Sequence, residues 1–190
     1  EDAFAIADPA VRDTLEPAVA QVGELLGGSA ISTLSDTGLD GWASAWRTIQ
    51  AREVWQVHGA WISASEPTFG PGIRERFEWA RTVTEQEESG ARAVAQAARL
   101  ELLSTLGEDG VALLPAVPAP ALFLDASDDD KETYRVAAIM LTCSAGLGGL
   151  PQVTLPAGEV GGCPIGLGVI GTADSDLALL ELAQRYEQAA

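Results

Sequence analysis

One stretch constrains the fold more than any other: GGLPQVTLPAGEVGGCPIGLGVIG, which runs from Gly148 to Gly171. Glycine, proline and β-branched residues are so dense here that QVTL and PIGLGVIG predict two strands joined by a glycine turn. Such a backbone suits the floor of an active site, because glycine permits close approach to a ligand. The stretch contains no His, Lys, Ser or Asp, and we expect its one Glu and one Cys to lie in turns. The reactive groups of any site must therefore come from elsewhere.

Apolar residues at helical spacing, bounded by caps, glycines and prolines, predict five helices. They run from Asp8 to Gly27, from Leu39 to about Ser65, from about Thr84 to Leu106, from Ser127 past Leu141, and from Asp174 to about Gln188. VALLPAVPAPAL predicts a buried strand that leads into a proline-rich loop, and SAIST is compatible with a short strand. Helices and strands that interleave along the chain predict an α/β fold. We expect residues 1–190 to form a single unit.

The charge balance excludes several classes of partner. The formal net charge is −17, from 28 acidic and 11 basic side chains, and no Lys/Arg stripe could neutralise phosphates. We therefore expect neither nucleic acid nor a membrane surface as a partner. No apolar run approaches the roughly 20 residues that span a bilayer, and the first residues do not resemble a signal peptide, so we expect a cytoplasmic protein.

The candidate reactive residues are few. Cys143 and Cys163 form no C-x-x-C pair and His58 is the only histidine, so we expect no metal site, cofactor or disulfide. His58 lies in a Trp-rich helix, where a hydrogen-bonded structural role is favoured over catalysis. Lys131 follows three aspartates that favour its charged form, which indicates a solvated helix start. Cys143 and Ser144 have no partner base nearby in the sequence, so pocket lining or packing is favoured over a nucleophilic role.

GLGGLPQVTLPAG, a glycine turn and CPIGLGVIGTADSDLALLELAQRYE resemble the C-terminal end of the amidase signature family. The matching positions are Pro151, Pro156, Gly158, Pro164, Gly166, Gly171 and Asp176. DAFAIADPAV and GVALLPAVPAPA are consistent with the same family, and REVWQVHGAWISASEPTFGPGIRERFEWA resembles its smaller amidases, which act on aryl-acetamides and include indole-acetamide-type hydrolases. The resemblance covers essentially all of the chain but only the C-terminal half of a family member. It implies a mixed β-sheet core flanked by helices.

The resemblance also implies which chemistry this chain lacks. Family members hydrolyse amides with a Ser–cis-Ser–Lys triad that belongs to the N-terminal half, so no catalytic residue is expected here and the chain alone should be inactive. Its expected role is to supply pocket wall and core to a missing N-terminal half, whether cleaved, truncated or separate. The expected substrate is a small apolar or aryl amide, and the chain could also form homo-oligomers. The candidate substrate-binding residues are Trp55, His58, Trp61, Phe69, Ile139, Cys143 and Ser144.

Two alternatives stay open. A non-catalytic interaction domain that kept the fold would also lack the triad. An amidotransferase subunit that uses glutamine is less favoured, because those relatives hold the amino acid with an acidic and an arginine side chain. Ile139 stands at the expected acidic position here, and VHGAW shows no arginine at the other.

Overall fold

Three strands form one antiparallel sheet in the order β1–β3–β2, within the residues that the computed structural model describes, 1–70 and 72–189. The strands are β1 (Ala112–Pro115), β2 (Gln152–Val160) and β3 (Cys163–Ile170). The helices of the same residues are α1 (Asp2–Ile6), α2 (Pro9–Leu26), α3 (Leu39–Ser65), α4 (Ile73–Thr82), α5 (Glu85–Leu106), α6 (Asp128–Gly148) and α7 (Asp176–Ala189). Helices thus interleave with strands, which confirms the α/β prediction.

The glycine-rich stretch forms the central hairpin. Gly161 and Gly162 connect β2 to β3 with φ angles of 60° and 80°, a left-handed backbone that glycine adopts at little steric cost. The pairing runs from Val160 opposite Cys163 to Gln152 opposite Ile170, with a register shift between Pro156 and Gly158. The two strands predicted from this stretch are confirmed, and β2 is longer than QVTL because it continues past Pro156.

Each face of the sheet packs against a different set of helices. On one face, Leu155, Leu167 and Val169 are buried against α2 and α7. On the other face, Leu114 and Ile170 belong to a core shared with α3, α5 and α6. Alternate residues of a strand point to opposite faces, so the short β3 contributes to both cores. Burying each of these side chains stabilises the fold by about 1.5–3 kcal/mol.

Local capping determines where α5 and α6 begin. The Thr84 side chain accepts the backbone N–H of Glu87, whose carboxylate in turn accepts the Thr84 N–H at 2.7 Å. This reciprocal capping box satisfies two donors that the start of α5 would otherwise leave unpaired. The start of α6 is capped by Ser127, which accepts the N–H of Asp130. The helix predictions around Thr84 and Ser127 therefore agree with the structure.

Two features differ from the sequence-based expectations. SAIST, at 29–33, forms no strand, because the next two backbone N–H groups, those of Leu34 and Ser35, donate to the carboxylate of Asp2 instead of to a neighbouring strand. Helices α1 and α4 were not expected. In α4 only Ala80 is buried, so its apolar pattern is too weak to indicate a helix.

Candidate substrate-binding surface

The candidate site residues lie in two separate places. Trp55, His58 and Trp61 project from the C-terminal half of α3, and Phe69 lies in the segment before α4. Ile139, Cys143 and Ser144 belong to α6. The structure therefore groups the aromatic candidates with one another and keeps them apart from the α6 candidates.

The aromatic cluster consists of His58, Trp61, Phe69 and Phe77. The rings of Phe69 and Phe77 are 4.8 Å apart between centroids, and Trp61 meets Phe69 edge-on at 6.3 Å. His58 is in edge contact with both Trp61 and Phe77 at 6.4 Å. Edge-to-face and offset arrangements at these distances are the favourable ones for aromatic pairs. Phe77 was not among the candidates, because its helix α4 was not expected.

The aromatic groove lies beside this cluster and has a volume of about 480 Å³. Trp55, Ile62, Phe69 and Phe77 supply its apolar wall. Its rim carries Glu66, Arg74, Glu78 and Arg81, all of which are exposed. Charges in contact with water are screened, so the apolar wall offers the stronger contact for a ligand.

The second groove lies between α3, α4 and α6 and has a volume of about 440 Å³. Ile139 lines it together with Val136, Met140 and Trp79, so it too has an apolar wall. Arg47 lies at the same groove, with its guanidinium carbon 5.7 Å from the centroid of the Trp79 ring, a distance that permits a cation–π contact.

Cys143 and Ser144 are buried in the core and line neither groove. Burial raises the pKa of the Cys143 thiol to about 12, so almost no thiolate forms near neutral pH. The hydroxyl of Ser144 has no hydrogen-bond partner among the described residues. Both placements agree with a packing role, and substrate contact by these residues stays a prediction.

Among the described residues, neither candidate nucleophile, Cys143 or Ser144, has an oriented base beside it. Lys131 is half exposed and lies 3.7 Å from the Asp128 carboxylate. It precedes Ser144 by thirteen positions on the same helix, which is about 20 Å along the axis. His58 is exposed on α3, and its ring lies against the aromatic side chains of Trp61 and Phe77. A serine or cysteine nucleophile needs a base within hydrogen-bonding distance, and within residues 1–70 and 72–189 neither Ser144 nor Cys143 has one.

Neither a metal centre nor a membrane span is present in the described part of the chain. No group of three or more His, Cys, Asp or Glu side chains there could hold a metal ion. None of the helices in these same residues is long and apolar enough to cross a membrane.

Comparison with known proteins identifies the fold and then the family. A solved structure described as an amidase superposes on 97% of this chain with a TM-score of 0.80 and 25% sequence identity, and the match covers 42% of that protein. Among curated proteins, Amidase 1 of Arabidopsis thaliana is 36% identical over 140 residues, which are 74% of this chain and 33% of that protein. A glutamyl-tRNA(Gln) amidotransferase subunit of Nitrosococcus oceani is 41% identical over 83 residues, 44% of this chain and 17% of that protein. No protein-family model matches the chain.

These likenesses define an amidase-type α/β fold. The chain belongs to the amidase signature family and corresponds to its C-terminal part. It spans about a third of the length of Amidase 1.

Proposed function

We propose that this chain supplies the C-terminal part of an amide hydrolase that acts on small apolar or aryl amides. The observation that carries the proposal is the similarity to Amidase 1 of Arabidopsis thaliana, which extends over 74% of the chain but only 33% of that protein. The two thirds of Amidase 1 outside this match leave room for the Ser–cis-Ser–Lys triad of the family. In this proposal, the triad serine attacks the amide carbonyl and the amine leaves, and water then releases the acid.

The part of this chain in the reaction is to hold the apolar end of the substrate. Trp55, Phe69 and Phe77 form the wall of the aromatic groove, and each 100 Å² of apolar surface that a ligand buries there contributes about 2.5 kcal/mol. Free glutamine would gain little from this wall because it has no aryl group. Its α-amino and α-carboxylate groups would meet only exposed charges that water screens. We therefore propose that aryl amides are preferred over glutamine.

The experiment is a chimera in which this chain replaces the matching portion of Amidase 1. We expect the chimera to hydrolyse phenylacetamide faster than glutamine, and the 190-residue chain alone to hydrolyse neither. Circular dichroism and thermal melting establish that the chimera is folded. A folded but inactive chimera, or activity in the chain alone, would contradict the proposal.

Two variants of the chimera test the aromatic groove. Phe69→Ala should raise KM for phenylacetamide more than KM for acetamide, because only the aryl group contacts the wall. Phe123→Ala is the matched control, since Phe123 is 85% exposed and does not line the groove. Equal effects of both variants on both substrates would argue against binding in this groove.

An amidotransferase subunit is the second candidate function, favoured by the 41% identity over 83 residues with the Nitrosococcus oceani protein. Against it, Ile139 lies among apolar neighbours in the second groove and cannot pair with the amino group of glutamine. Faster turnover of glutamine than of phenylacetamide in the chimera would reverse the order of these two candidates.

A further inference from the structure

Each of the three helices that form the second groove carries an arginine near it, and one of the three arginines lines the groove itself. Arg47 lines it from α3, Arg76 lies one helical turn before Trp79 on α4, and Arg135 lies one turn before Ile139 on α6. Residues three or four positions apart share a helix face, so Arg76 and Arg135 lie on the same helix faces as these two groove residues.

Arg76 and Arg47 lie close enough to Arg135 for their charges to act on it. Burial lowers the pKa of Arg135, and the positive charges of Arg76 and Arg47 lower it further. Of these three arginines, only Arg135 has a carboxylate partner within the described residues, and that partner is Glu132 on the same helix. Such a gathering of like charge is unfavourable on its own. It is also unexpected in a chain with 28 acidic and only 11 basic side chains.

The carboxylates near the groove pair with Arg135 but leave Arg47 and Arg76 without an ion pair among the described residues. Asp40 lines the groove but precedes Arg47 by seven positions on α3, which is about 10 Å along the helix. No ion pair joins them among the described residues. An anion would therefore meet guanidinium groups that retain free donors.

The groove walls specify the rest of the ligand. Val136, Ile139, Met140 and Trp79 are apolar and half-buried or exposed at the groove, so they can cover an aromatic ring or a short alkyl chain. A guanidinium binds a carboxylate through two parallel N–H donors, which places the charged end beside the apolar wall. We propose that the second groove is a binding site for small amphiphilic carboxylates, with the acid held by Arg47, Arg76 and Arg135 and the apolar body against Trp79 and Ile139. The site goes beyond the proposed hydrolysis, since it takes an acid rather than an amide.

The test measures binding by the 190-residue chain and does not involve hydrolysis. Three probes are titrated by calorimetry: phenylacetate, its neutral analogue phenylacetamide, and inorganic phosphate. We expect phenylacetate to bind at least about tenfold more tightly than either of the others, because only phenylacetate combines the charge with the ring. Equal binding of phenylacetate and phenylacetamide, equal binding of phenylacetate and phosphate, or no saturable binding would each overturn the proposal.

Variants locate the site. Arg47→Gln and Arg135→Gln should each weaken phenylacetate binding at least about tenfold, while Arg12→Gln, which changes an exposed arginine on α2, should not. Circular dichroism checks that each variant is folded, and Arg47→Lys should bind with intermediate affinity because it keeps the charge but not the paired donors. Loss of binding in Arg12→Gln, or full binding in Arg47→Gln, would place the acid elsewhere and refute the assignment.

Discussion

Arg99 ties α5 to the end of α6, and its replacement is the sharpest test of how the glycine-rich stretch is held. Its guanidinium donates to the carbonyl oxygen of Gly148 and, at 3.4 Å, to that of Gly149. The last carbonyls of a helix have no partner within the helix. The N–H groups of Gly149 and Leu150 satisfy those of Gly146 and Ala145, and Arg99 binds those of Gly148 and Gly149, a few residues before β2.

The expected loss of stability when Arg99 is replaced follows from these contacts. A hydrogen bond to a charged group contributes about 1.5–3 kcal/mol, and a cation at a helix C-terminus adds about 0.3–1 kcal/mol. Arg99→Met keeps the aliphatic packing of the half-buried side chain but removes both terms. We expect a loss of about 2 kcal/mol in the free energy of unfolding. For a protein of 150–250 residues, this corresponds to a melting temperature lower by about 4–8 °C.

The assay is urea unfolding followed by circular dichroism, with thermal melting as a second measure. Arg12→Met is the control, since Arg12 is exposed on α2 and such substitutions change stability by no more than about 0.5 kcal/mol. Arg99→Lys should fall between the wild type and Arg99→Met, because lysine keeps the charge without the paired donors. Equal midpoints for Arg99→Met and Arg12→Met would refute the reasoning.

Three further outcomes are expected. Burial raises the pKa of Cys143 to about 12, so the half-buried Cys163 should react first with a thiol reagent at pH 8. Cys163→Ser should therefore abolish the fast phase of the reaction. A fast phase that persists in this variant would contradict the expectation. Phe123 and Leu124 are 85% and 102% exposed, so replacing both with serine should reduce self-association in sedimentation velocity, whereas Leu100→Ser, at a separate exposed site, should not. With a formal charge of −17 and a pI near 4.2, solubility measured by light scattering should be lowest near that pH; a minimum at neutral pH would mean that the charge is compensated locally.

The helix boundaries could be predicted where a local cap determines them. α3 begins at Leu39 and ends at Ser65, as its glycine and proline neighbours indicate. α5 begins immediately after Thr84, whose capping box with Glu87 is visible in the sequence. Such signals involve residues three or four positions apart, so they need no knowledge of tertiary contacts.

The elements that depend on distant contacts could not be predicted. α4 has only one buried residue, and its Phe77 and Trp79 gain their contacts from His58 and Arg47 on α3. The segment at 29–33 has β-compatible residues, but the side chain of Asp2, more than thirty positions away from the N–H groups it accepts, fixes the loop that follows. Local propensity therefore gave the wrong result there.

The sequence predicts a binding surface at the Trp-rich end of α3. The structure has an aromatic groove there, lined by Trp55 and Phe69, and substrate binding in it stays a prediction. The sequence could not show that Ile139 faces a different groove, because that depends on how α3 and α6 cross. It also gave no signal for the arginines of the second groove, which are 29 and 59 positions apart in the chain and meet only through the packing of three helices.

The prolines at the two edges of the sheet determine how this protein can aggregate. Both outer strands carry one: β1 ends at Pro115, and β2 contains Pro156 next to a register shift. Proline has no N–H to offer to an added strand, and an irregular edge is a poor template for continuous pairing. Chains that associate through exposed side chains such as Phe123 should therefore form reversible clusters and not cross-β fibrils. When such samples turn cloudy, we expect no thioflavin fluorescence and recovery of soluble protein on dilution.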